Sequence, residues 1–157
     1  MKRLKLYIET SVWNFLFADD APEMKRDTQR FFEEVRSGDY ELFISELVIA
    51  EVERAHESVR DKLLGKIDEI EPEVLIINEE VDELALKYAG ARFLSEKAFD
   101  DLTHVAVATV NRMDFLVSLN LKHIVKVKTI MGINEVNVDE GYRELKICTV
   151  SGVLSGE

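Results

Sequence analysis

Apolar and polar positions follow two rhythms along this chain, and they take turns. Short apolar runs come first in each cycle. Leu4-Lys5-Leu6-Tyr7-Ile8 reads as a strand, and Glu41-Leu42-Phe43-Ile44-Ser45 as a second. β-branched Val74-Leu75-Ile76-Ile77 predicts a third, residues 114–118 a fourth, and residues 145–150 a last. Stretches with helical spacing lie between them. Residues 12–17 predict a first helix, with Thr10 or Ser11 placed to cap its free N–H groups. Pro22 suits the first turn of a second helix that runs to about Gly38, with Thr28, Phe31, Phe32 and Val35 on its inner side. The next helix spans 46–58 behind a Ser45 cap, and charge-laced helical sequence continues to Glu71, where Pro72 stops it. Residues 79–89 are helical, with Gly90 as the expected C-terminal cap. After a connector at 91–97, residues 98–112 form the most apolar helix, and a polar helical stretch spans about 126–140.

Strands that alternate with helices predict a parallel sheet covered on both faces, an α/β/α sandwich of three layers. The chain shows no repeat and no linker, so a single domain over 1–157 is expected. In such sheets, sites form beyond the carboxyl ends of the strands. Glu9 follows the first strand and Asn120 follows the fourth.

Carboxylates on apolar faces carry more information than carboxylates on loops. On a wheel that advances about 100° per residue, Glu51 falls about 40° from Leu47, between that residue and Val48 and Ala55. Asp101 falls between Ala108 and Val105 in the same way, and its place in the first turn of a helix favours negative charge. Asp100 and His104 lie four residues apart on a different face, where Asp100 could cap the helix and His104 could be a core hydrogen-bonding residue or a ligand. An isolated buried carboxylate neutralises or finds a partner. Glu9, Glu51, Asp101 and Asn120 come from strand ends or inward helix faces, so adjacent strands would gather them at one edge of the sheet. Three carboxylates without an arginine partner repel one another, and a hard divalent cation, magnesium or manganese, resolves that repulsion.

Composition narrows the classes. There are 31 acidic and 20 basic side chains, a formal charge of −11, in 157 residues of which 46% are hydrophobic. That balance argues against a wide basic platform for nucleic acid. It leaves room for a nuclease whose cation supplies the positive charge, and for a basic partner chain. One cysteine excludes a disulfide framework and a cysteine-based zinc site. The short apolar run behind Met1-Lys2-Arg3 fits neither a secretion signal nor a membrane span, and a cytoplasmic protein is expected.

The residues then resemble a known family. "LYIETSVWN" is similar to the strand-one motif of PIN domains, the nuclease modules of VapC-type toxins and RNA-processing factors, with Glu9 where most members have Asp. "ISELVIAEVERA" resembles the second motif and places Glu51. "FDDLTHVAVATV" resembles the third and places Asp101, with Asp100 as its companion. "MDFLVSLNLKHIV" resembles the last and places Asn120, where many members carry Asp. The resemblance runs from about residue 4 to 150.

It implies a three-layer PIN-like fold and magnesium- or manganese-dependent hydrolysis of RNA, with Glu9, Glu51, Asp100 and Asp101 at the metal. Asn120 would be a neutral ligand or would position a water. Thr10 or Ser11 would fix Glu9 or touch phosphate. The protein would be the toxin of a toxin–antitoxin pair, with an antitoxin partner and a homodimeric state. The alternative is a non-catalytic PIN-like module that binds RNA or protein. A phosphatase or receiver-like protein needs an aspartate at the end of the first strand, and Glu9 fits that badly.

Overall fold

A computed structural model gives the structure of the chain and describes residues 2–154. Residue 1 and residues 155–157 of the expected domain lie outside the described residues. Among the described residues five strands form one parallel sheet: β1 (Leu4–Ile8), β2 (Tyr40–Ser45), β3 (Glu73–Leu75), β4 (Phe115–Val117) and β5 (Lys146–Cys148). Their order is β3-β2-β1-β4-β5. Leu6 lies opposite Leu42 on one side and Phe115 on the other, so β1 is the central strand. Among the described residues seven α-helices connect and flank the sheet: α1 (Thr10–Phe15), α2 (Pro22–Val35), α3 (Glu46–Glu53), α4 (Glu57–Ile70), α5 (Glu79–Gly90), α6 (Phe99–Val110) and α7 (Val127–Asp139). This is the three-layer α/β/α arrangement that the alternating pattern predicts.

The core follows the hydrophobic periodicities. Leu6, Tyr7 and Ile8 of β1 are fully enclosed, which suits a central strand covered on both faces. Thr28, Phe31, Phe32 and Val35 form the buried side of α2, and Trp13 of α1 stacks on Phe32 at 4.7 Å between ring centroids. In α6, residues 102–109 are all buried, as expected of the most apolar helix.

The helix ends explain where expectation and structure part. The continuous helix expected over 46–58 breaks after Glu53, because the His56 ring accepts the Ser58 N–H at 3.3 Å and caps α4. That cap requires the chain to leave the helix first. Gly90 is the last residue of α5 and is not the left-handed cap; positive φ appears two residues later, at Arg92. Glu71 closes α4 in the left-handed conformation (φ 56°), its N–H bonded to the Ile67 carbonyl, and Pro72 prevents continuation. The cap of α1 is Glu9, whose side chain accepts the Ser11 N–H, in place of Thr10 or Ser11. Among the described residues no helix is long and apolar enough to cross a membrane.

Candidate active site

The sheet order reverses direction beside β1. β2 and β3 follow on one side and β4 and β5 on the other, which opens a crevice beyond the carboxyl ends of β1 and β4. Glu9 stands there, one residue past β1. Its N–H bonds the Val117 carbonyl at 3.0 Å, and its side chain is almost wholly enclosed, at 4% exposure. Ser118 donates to Glu9 Oε1 at 2.7 Å, and the Ser11 hydroxyl donates to the same oxygen. Ser11 also accepts the Leu119 N–H at 2.8 Å, and Ser118 accepts the Asn120 N–H at 3.0 Å. Two serines therefore tie the end of β1 to the end of β4. Burying Glu9 costs little, because its carboxylate is supplied with hydroxyl and N–H donors.

Glu51 enters from α3, on the far side of Thr10. It accepts from Thr10 Oγ1 at 2.6 Å and contacts His104 Nε2 at 2.6 Å. Burial pushes this carboxyl upward, but the hydrogen bonds from His104 and the Thr10 hydroxyl hold it below its ordinary value. Asp101 enters from the first turn of α6. It accepts from Asn120 Nδ2 at 3.1 Å and lies 2.8 Å from His123 Nδ1. Asn120 accepts the His123 N–H at 3.0 Å, so the loop after β4 folds back on the aspartate. Burial raises the Asp101 carboxyl, and the negative field of Glu9 adds to this against the opposing hydrogen bond from His123.

The expected residues fall into two hydrogen-bonded groups: Glu9, Asp101 and Asn120 are joined through Ser118, with the field of Glu9 reaching Asp101, while Glu51 joins Thr10, the residue after Glu9, and His104. Asp100 stands apart from them. It is exposed on the outer side of α6 and faces Arg54 at 3.9 Å, while His104, expected on the same face, is fully buried. Thr10 and Ser11 spend their hydroxyls on Glu51 and Glu9. Sequence reasoning leaves His123 open between a phosphate contact and an ordinary surface charge, reads Ser45 only as the cap of the helix after the second strand, which it is, and gives no role to Tyr7 or Ser118. A histidine three residues after Asn120 was the one local signal available.

The carboxylates do not form a closed cage. Among the described residues, no three His, Cys, Asp or Glu side chains are placed to hold a metal ion together, and no buried side-chain polar atom lacks a hydrogen-bond partner. Their donor chemistry fits an open magnesium or manganese site. Such ions are commonly held by one or two carboxylates, with waters and substrate phosphate completing the shell. Among the described residues no donor reaches Glu51 Oε2, and Glu9 Oε2 accepts only the Ser11 N–H. Those hard oxygens suit a divalent cation of that kind.

The layered parallel sheet has a PIN-type fold, that of the VapC toxins. Three solved structures share it. VapC20 of Mycobacterium tuberculosis, a sarcin-ricin-loop-cleaving toxin, is 19% identical, with a TM-score of 0.56 over 71% of this chain and 86% of that one. A toxin–antitoxin complex from Klebsiella pneumoniae is 14% identical, with a TM-score of 0.58 over 79% of this chain and 93% of the other. VapBC2 of Rickettsia felis, bound to a DNA fragment from its promoter, is 12% identical, with a TM-score of 0.55 over 93% of this chain and 98% of the other. No protein-family profile matches the sequence, and no curated protein matches it with significance.

Proposed function

We propose that this protein is a toxin-type ribonuclease that hydrolyses RNA phosphodiester bonds with magnesium or manganese, in the cytoplasm, as a single-domain chain. One observation carries the reading: at the reversal point of the sheet Glu9, Asp101 and Asn120 share one hydrogen-bonded group through Ser118, and Glu51 accepts from Thr10, the residue next to Glu9. A stable fold has no need to collect three carboxylates there, since each raises the cost of the others.

In this reading Glu51 and one of the other two carboxylates would hold the cation, with waters and substrate phosphate completing its shell, and the ion would supply positive charge against the charge that builds on the phosphoryl oxygens. The chain's own residues do the rest. Ser11 and Ser118 keep Glu9 oriented, and Asn120 holds Asp101 toward the crevice. His123, about one third exposed at the crevice edge, and Lys122 beside it lie where an RNA phosphate would arrive. The acidic surface suits an antitoxin that offers a basic segment. The reading extends to a homodimer through α7, where Val127, Met131 and Val138 are exposed. Lys128 near one end and Asp139 at the other make an antiparallel contact with a second copy charge-complementary.

A non-catalytic binding module is the second reading, favoured by the complete internal hydrogen bonding of the buried polar groups. Titration of Mn²⁺ during thermal unfolding, with cleavage assays on single-stranded RNA, separates the two. The nuclease reading expects metal-linked stabilisation, which reaches about 2.7 kcal/mol at 100 times the dissociation constant. It also expects cleavage to fall at least about 100-fold in Glu51→Gln and Asp101→Asn. Cleavage that survives both substitutions, or a wild type without metal-linked stabilisation, overturns it.

A further inference from the structure

His104 is fully buried in α6, yet it does not serve as apolar filling. Both ring nitrogens are engaged. Nδ1 lies 2.7 Å from Tyr7 Oη, and Nε2 lies 2.6 Å from Glu51 Oε1. Tyr7 Oη in turn lies 2.8 Å from Ser45 Oγ, which accepts the Leu47 N–H at 3.2 Å as the cap of α3. Tyr7 and Ser45 are themselves wholly enclosed. A line of four polar groups therefore crosses the core from the start of α3, through the central strand, to the crevice.

Counting protons fixes its direction. The segment from Ser45 through Tyr7 to Nδ1 has two contacts, and two hydroxyl protons are available to fill them. Ser45 then donates to Tyr7, and Tyr7 donates to Nδ1. The single ring proton sits on Nε2 and is donated to Glu51 Oε1. A proton on Nδ1 would leave one buried hydroxyl without an acceptor. If it were the only ring proton, the Nε2 lone pair would also face a carboxylate oxygen. Either fault leaves a buried polar group unsatisfied, a cost of about 1–3 kcal/mol. Burial keeps the phenol of Tyr7 protonated far above its ordinary range, so its donor role is fixed.

We propose that Ser45, Tyr7 and His104 form a positioning relay: Tyr7 donates to Nδ1 and anchors the His104 ring with its Nε2–H toward Glu51, and His104 with Thr10 fixes Glu51 by Oε1, so that Oε2 is the oxygen left to work in the crevice. The proposal rests on the nuclease reading only in giving Glu51 its work; the tautomer stands independently. Groups behind a reacting carboxylate or metal ligand usually matter by about 10–100-fold when removed.

The test uses the full chain, a single-stranded RNA oligonucleotide with Mn²⁺, and ¹⁵N NMR of the imidazoles. Wild type at neutral pH is expected to show His104 protonated at Nε2 with Nδ1 hydrogen-bonded, and Tyr7→Phe to leave the proton on Nε2, facing Glu51, while the Nδ1 resonance moves toward that of a ring nitrogen without a donor. Tyr7→Phe is expected to lower kcat about 10–100-fold with KM little changed. His104→Gln has an amide that can still donate to Glu51 and no tautomer to fix. In that background, adding Tyr7→Phe is expected to cost no further kcat, which a double-mutant cycle reads directly. The relay is overturned if wild-type His104 carries its proton on Nδ1, or if Tyr7→Phe leaves the Nδ1 resonance unchanged. It is also overturned if Tyr7→Phe lowers only the melting temperature while kcat stays at the wild-type value. A wild type that cleaves no RNA sinks the nuclease reading, and the imidazole spectra still decide for or against the relay.

Discussion

Two carboxylates in one crevice respond to pH with opposite signs. Burial and then the field of Glu9 raise Asp101 above its ordinary value of 3.8, so folding favours its protonated form. The stability this contributes is complete below the unfolded value and is lost as pH rises through the raised one. Asp101→Asn, which carries no charge, is therefore expected to melt higher than wild type near neutral pH, with the gain shrinking toward about pH 3. Glu51 is held below its ordinary value of 4.5. Its contribution is complete above that value and is lost as pH falls through the depressed one, so Glu51→Gln is expected to melt lower near neutral pH and to approach wild type in acid. Melting curves of the two variants across this range check both signs, and parallel displacements would refute the assignment. At this scale the sequence was half legible. Glu51 and Asp101 betrayed themselves as charges on apolar faces. Tyr7, Ser45 and Ser118 gave no such sign, because a buried tyrosine or serine in a strand is ordinary until its partner is known. The partner of Tyr7 lies 97 residues away on α6.

Elements were more legible than contacts, because periodicity is local. The inner side of α2 was readable in full, residue by residue, from the spacing of Thr28, Phe31, Phe32 and Val35. Boundaries set by side chains from outside the periodic stretch were not: the break before α4 depends on the His56 ring, and the start of α1 on Glu9. The packing of α7 supplies a test at this level. A Cβ at Gly132 would lie 2.6 Å from Phe93 Cδ1 and 2.8 Å from Cγ. These atoms are at the root of the ring, which already packs edge-on against Tyr88, so they have little freedom to yield. Helix propensity would favour alanine by about 1 kcal/mol. Overpacking of this kind costs about 1–3 kcal/mol and is expected to prevail. Gly132→Ala should lower the midpoint of urea denaturation without changing its slope.

For the whole molecule, the parallel sheet was readable from alternation alone, while the strand order was not, since no short stretch of sequence records which strand lies beside which. Association also belongs to this scale. If two copies meet through α7, Met131→Glu places a charge in the middle of the contact and is expected to give a monomer by light scattering, with RNA cleavage per chain measured alongside. A wild type that is already monomeric at micromolar concentration would remove the α7 interface. The order of the strands has one more consequence. The central strand is made first and one of its two neighbours almost last, so a chain still emerging from the ribosome holds Glu9 and Glu51 long before Asn120 and His123 exist to complete the crevice. On the nuclease reading, unfinished translation products would then spare the RNA around them, and cleavage would become possible only with the final third of the chain.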